Sequence, residues 1–241
     1  MRRDAGVTLL EVLIAVTMLS LLSVGMFLAM RIGLSAFGRT NDRLMENRRV
    51  AGAQRLLDQE LEGLLPAMAP CGSAAPNSRT VIFQGQADTL TMVSTFSLQG
   101  AWRGRPQLLQ FLVSSSDHGG MRLLVNETPY AGSLSGGSLC SGVVPDPQTG
   151  AGIPQFPRPS VGPGSFVLAD RLAYCRFSYL TPSAKAGEPG LWLPAWTGKG
   201  WPSGIRVEMA PSEPSPAQLQ PVTVTAPIYL TRNPEATYAD H

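Results

Sequence analysis

Positions 12–30 carry no formal charge, and Leu, Val, Ile, Met and Ala dominate these nineteen residues. At about 1.5 Å of rise per residue, such a run covers roughly 28 Å, close to the hydrocarbon thickness of a bilayer. Beyond Arg31 the apolar positions narrow to one helix face: Val50, Ala53, Leu57, Leu61 and Leu64 recur at spacings of three and four. Between them stand Arg48, Arg49, Arg55, Asp58, Glu60 and Glu62, expected on the solvated side. Pro66, the first of 21 prolines, is expected to end the run. A continuous helix over 7–65 would hold about 59 residues and span roughly 88 Å. That length suits a stalk whose first half lies in a membrane or filament core and whose second half packs on a sheet. Gly25, Gly33 and Gly38 weaken it by up to about 1 kcal/mol each relative to Ala.

After Pro66 the helical period disappears. Short apolar or alternating segments at 80–84 (TVIFQ), 89–96 (TLTMVSTF), 107–114 (QLLQFLVS) and 121–125 (MRLLV) read as strands. So do 172–180 (LAYCRFSYL), 204–209 (GIRVEM) and 222–230. Positions 131–164, rich in Gly, Ser and Pro, are expected as a long exposed loop. A long helix laid on an antiparallel sheet makes the expected fold class α+β.

The formal charge is +2, which gives no reason to expect nucleic acid as a partner. Arg2 and Arg3 precede the apolar run, so the positive-inside rule places the N-terminus in the cytoplasm and the chain after Arg31 across the membrane. Two simple accounts of the run are a secretory signal peptide, with small residues at Gly33-Leu34-Ser35 for cleavage, and a plain one-helix anchor. The first needs an apolar region of only about 7–15 residues. Neither explains Glu11. A carboxylate well inside a spanning helix costs on the order of 2.5–3.5 kcal/mol, less near the end of the span. Such a group calls for a positive partner.

The stretch AGVTLLEVLIA resembles the processing signal of type IV pilins and type II secretion pseudopilins: a short basic leader, a Gly, then an apolar helix with Glu at its fifth position. That resemblance implies cleavage by a prepilin peptidase between Gly6 and Val7, and N-methylation of the Val7 amine. Glu11 then stands one helical turn from the new amine and could neutralise it, or that of a neighbouring subunit, during assembly. Val7 replaces the usual Phe, and Asp4 sits in the leader; the Gly and the Glu are kept. The implied organisation is a leader (1–6), a transmembrane helix (7–30), an amphipathic helix (31–65), a periplasmic β-rich domain (66–231) and a polar tail (232–241).

The C-terminal half is similar to the minor pseudopilin J family of type II secretion. The similarity rests on Phe177 and Tyr179 as an aromatic pair, Trp192 and Trp196 on the next segment, Pro202 leading Ile205 and Val207, and a closing strand. It implies a structural protein of the bacterial inner membrane that helps to initiate and cap a pseudopilus. The implied partners are minor pseudopilins of the I and K types and the major pseudopilin. A minor pilin of a type IV pilus or DNA-uptake filament uses the same leader. A membrane-tethered hydrolase is the rival from another class. From the residues themselves, Cys175, Phe177 and Tyr179 share a strand face and suit a core, while the tryptophans suit either the binding of a partner or polymer or, as expected here, the covering of a sheet end.

Cys71, Cys140 and Cys175 would all lie outside the cytoplasm, where three thiols allow one bridge and leave one over. The pairing is open from the sequence; Cys175, expected on an inward strand face, favours Cys71–Cys140 among the three choices. Neither the cysteine spacing nor His118 and His241 suggests a metal site, and no cofactor motif is present. Ser114, Asp117 and His118 are too close in sequence to converge as a catalytic triad and read as a turn.

Overall fold

The computed structural model describes residues 9–71, 79–98, 102–117, 119–137, 139–145, 152–183, 188–197, 200–212 and 222–228. Two compact units divide the chain, Met1–Asn47 and Arg48–His241. Helix α1 (Leu9–Glu62) supplies the described part of the first unit and enters the second.

Within the first unit, Leu9–Phe37 is a helical segment of 29 residues, long and apolar enough to cross a membrane, with no buried positions. Its hydroxyls do not seek partners elsewhere. Thr17 donates to the Ile14 carbonyl at 2.9 Å, Ser23 to Leu19 at 2.8 Å and Ser35 to Ile32 at 2.9 Å, and Ser20 donates likewise to Val16. Each hydroxyl hydrogen thereby finds an acceptor inside the helix, which a lipid-facing segment requires.

The second unit is built on a curved antiparallel sheet. Its elements are β1 (Met68–Pro70), β2 (Arg79–Val81), β3 (Phe83–Gly85), β4 (Thr89–Ser97), β5 (Trp102–Ser115), β6 (Met121–Pro129), α2 (Ser133–Gly137), β7 (Gly142–Pro145), β8 (Gly152–Gln155), β9 (Phe166–Leu180), β10 (Trp192–Leu193), β11 (Gly204–Pro211) and β12 (Val222–Pro227). Among the described residues the main sheet runs β12-β11-β9-β6-β5-β4-β3, with β10 on β9. The β3 edge curls back towards β9: Gly85 and Trp196 exchange backbone hydrogen bonds at 3.3 and 2.8 Å, and Phe177 N donates to Ala87 O at 2.9 Å.

Strand alternation creates two cores. On one face Met92, Leu109, Phe111, Val125, Phe177 and Tyr179 meet Ala53, Leu57 and Leu61 of α1. Leu57 and Leu61 are fully closed to solvent, each contributing about 2 kcal/mol by burial. On the other face Val93 and Leu108 meet Ala67, Ala69, Ile82 and Phe156. Strands β4 and β5 are therefore covered on both sides, which is why five of the six residues in 108–113 are apolar.

Helix α1 stops at Glu62, before Pro66, because the backbone leaves the helix to join β4. Leu65 N donates to Val93 O and Thr95 N to Gly63 O, both at 2.8 Å. Gly63 permits this approach, since a Cβ there would stand 2.7 Å from Ser94 Oγ. The segment 80–84, expected as one strand, divides at Ile82 into β2 and β3, which join different sheets. The expected long loop at 131–164 instead carries α2 and the β7–β8 hairpin, short elements held by packing and a covalent link more than by their own pattern. Trp196 and Trp201 are buried in the core that α1 shares with the sheet, and Trp192 lies under the Arg206 guanidinium at 3.8 Å from the ring centre.

Candidate functional site

Three places carry chemistry beyond ordinary packing. The first is the start of α1. Gly6 and Val7 lie outside the described residues. Glu11 occupies the first turn of α1, where the helix macrodipole favours a negative charge. It borders a shallow surface groove with Val12, Ala15, Val16 and Leu19, the apolar positions that follow it at helical spacing.

The second place is the covalent link between Cys71, at the end of β1, and Cys140, between α2 and β7, with Cα atoms 5.2 Å apart. Two glycines allow the approach. A Cβ on Gly136 would fall 2.3 Å from Ile82 Cδ1, and one on Gly137 2.5 Å from Pro70 O. The bridge pins α2 and the following hairpin to β1. Cys175 is the free thiol, buried under the sheet's inner face, and burial pushes its pKa up to about 12. At neutral pH it remains protonated and unreactive.

The third place was not found by the sequence reading, which set Glu60 on the solvated side of α1. The residue is fully buried, and neither carboxylate oxygen has a hydrogen-bond partner among the described residues. It faces β4, where Ser94 is also completely buried. The Ser94 hydroxyl stands close enough to favour the charged form, yet it donates to the Glu60 main-chain carbonyl at 3.1 Å. Burial is the larger influence and, with the negative charge of Glu127 on β6, raises the Glu60 pKa to about 8. A signal was present. Glu60 lies seven residues after Ala53 and four before Leu64, so the helical period puts it on the apolar stripe.

Ser114 and Ser115, expected in a turn, belong to β5, where they pair with Arg122 and Met121; the turn begins after them, with Ser116 N donating to Gly120 O at 2.9 Å and Gly119 and Gly120 at φ of 87° and 77°. Asp117 is paired with Arg122 at 3.1 Å, and His118 lies outside the described residues. Among the described residues, no three His, Cys, Asp or Glu side chains gather as a metal site.

Residues 1–27 match the prokaryotic N-terminal methylation motif. No curated protein matches the chain. The matched residues include Gly6, Val7 and Glu11 and most of the apolar run. The match supports a pilin-like class, processed by a prepilin peptidase and assembling with pilins, and the exposed apolar helix fits a single-pass membrane anchor. The α+β architecture, an N-terminal apolar helix with a mostly antiparallel sheet domain, agrees with that class.

Proposed function

We propose that the chain is a structural minor pseudopilin of a type II secretion system, anchored in the bacterial inner membrane with its sheet domain in the periplasm. It helps to initiate and cap the pseudopilus through which folded proteins are exported. The observation that carries the reading is the methylation motif over residues 1–27, set on an apolar helix that enters an α+β domain. The C-terminal likeness to the pseudopilin J family supports the narrower role beside the I-type and K-type minor pseudopilins and the major pseudopilin.

The mechanism is one of held and transferred helices. Before assembly, the bilayer covers the exposed apolar side chains between Leu9 and Phe37. Leaving the bilayer requires neighbouring helices to cover the same surface. Cleavage after Gly6 creates an amine at Val7, four residues before Glu11. Opposite charges attract more strongly where the surroundings are less polar, so a Glu11 carboxylate meeting a subunit amine favours one register over its neighbours. Glu11→Ala should leave insertion and leader cleavage intact and reduce incorporation into filaments. Incorporation at the wild-type level would refute this role.

Cross-linking in cells tests the narrower assignment. Capture of I-type, K-type and major pseudopilins supports it, whereas capture of pilus subunits assigns the chain to a type IV pilus or DNA-uptake filament instead.

A further inference from the structure

We propose that Glu60 is a proton-binding site that latches the last turns of α1 to the sheet, so that loss of one proton loosens the helix–sheet joint. The inference stands on the geometry of the second unit and does not depend on which filament the chain joins.

Four observations converge on a neutral carboxyl at this position. Glu60 is completely closed to solvent, and both side-chain oxygens lack hydrogen-bond partners among the described residues. An ionised carboxylate so placed would keep the full desolvation cost of its charge, whereas the neutral acid keeps far less. The last turn of α1 contains no basic residue, and the C-terminal end of a helix repels negative charge. The described groups facing it from the sheet also supply no cation. Strand β4 presents Ser94, β5 presents the buried amide of Gln107 beside Ser94, and β6 presents Glu127. Glu127 adds like-charge repulsion while its own Oε1 accepts from Leu98 N at 3.0 Å. On the helix itself Asp58 and Glu62 are acidic as well, and the Asp58 pKa is raised by partial burial and then by Glu62.

The location makes the proton consequential. Glu60 sits between Leu57 and Leu61, which anchor α1 in the core, and the exit at Gly63–Leu65, where the backbone joins β4. Ser94 ties the two together through its bond to the Glu60 carbonyl. Opening this seam brings water to the carboxyl and returns it to an ordinary acidity near 4.5, against about 8 when closed. The closed joint therefore binds one more proton than the open joint across that interval. Its opening constant rises about tenfold per pH unit between about 5 and 8 and levels off above. Near neutral pH the joint is already weaker than in mild acid.

The full chain in detergent micelles provides the test. Amide hydrogen exchange over 53–62, corrected for intrinsic rates, should show opening that increases about tenfold per pH unit from about pH 5 to about pH 8. The same profile in Glu60→Gln should be flat, because the amide cannot ionise. In parallel, infrared spectra of the wild type should show a protonated carboxylic acid band that disappears near pH 8 and is missing in the variant. A flat wild-type profile, or a slope retained in Glu60→Gln, overturns the proposal. If the variant does not fold, the wild-type infrared titration decides alone: a carboxyl band already lost by about pH 6 overturns it.

Discussion

Breaking the Cys71–Cys140 bridge should unfasten a whole layer of the second unit. The two cysteines are 69 residues apart, and the loop they close contains β2 to β6 and α2. By the loop-closure relation, a bridge of that span destabilises the unfolded chain by about 4 kcal/mol. Little native strain is expected to offset this, because Gly136 and Gly137 let α2 approach Ile82 and Pro70 without a side chain between them. Cys140→Ser in the full chain, unfolded by denaturant in detergent, should lose about 3–5 kcal/mol. Reductant added to the wild type should reproduce the loss, and Cys71→Ala/Cys140→Ala should add nothing to it. Limited proteolysis should then cut first within 131–155, the segment that the bridge holds to β1. Cys175 should not exchange into a new bridge, because burial keeps its thiol protonated with a pKa of about 12. A loss below about 1 kcal/mol, or a reductant effect that persists in the double variant, would refute the reasoning.

Glu60→Gln should stabilise the protein by about 3 kcal/mol at pH 7, and progressively less in acid. The sign follows from a folded pKa of about 8 against an ordinary 4.5, so wild-type stability falls as pH rises between the two. Thermal unfolding of both proteins at several pH values checks it, and parallel curves would contradict it. Gly85→Ala should prevent native packing, since a Cβ there would sit 2.2 Å from the Tyr179 ring. Its far-ultraviolet circular dichroism should show lost sheet signal, and a variant as stable as wild type would refute the close approach.

The helix was legible because its signals are local. The uncharged run and the absence of proline before Pro66 are read directly along the chain, and the stripe at Ala53, Leu57 and Leu61 follows from a 3.6-residue period. Strand existence at β4, β5, β6, β9, β11 and β12 was equally readable, but strand ends were not. Strand β9 extends back to Phe166 through Arg171, a non-glycine residue at φ 52° whose N–H bonds to Asp170 Oδ1 at 2.8 Å. The partners that hold this bulge, β6 on one side and Ser212 on the other, are distant in sequence. For the same reason α2 and the β7–β8 hairpin looked like loop: Gly, Ser and Pro do not announce structure that a disulfide and Phe156 packing impose. Glu60 was misjudged on chemistry alone. A carboxylate normally seeks water, so its side chain type outweighed a helical position that already pointed inward.

The account rests on maturation of the N-terminus, and mass spectrometry of the protein purified from cells that contain a prepilin peptidase tests it most directly. The predicted result is a chain beginning at a methylated Val7. A chain that still begins at Met1, or one cut near Ser35, would contradict it.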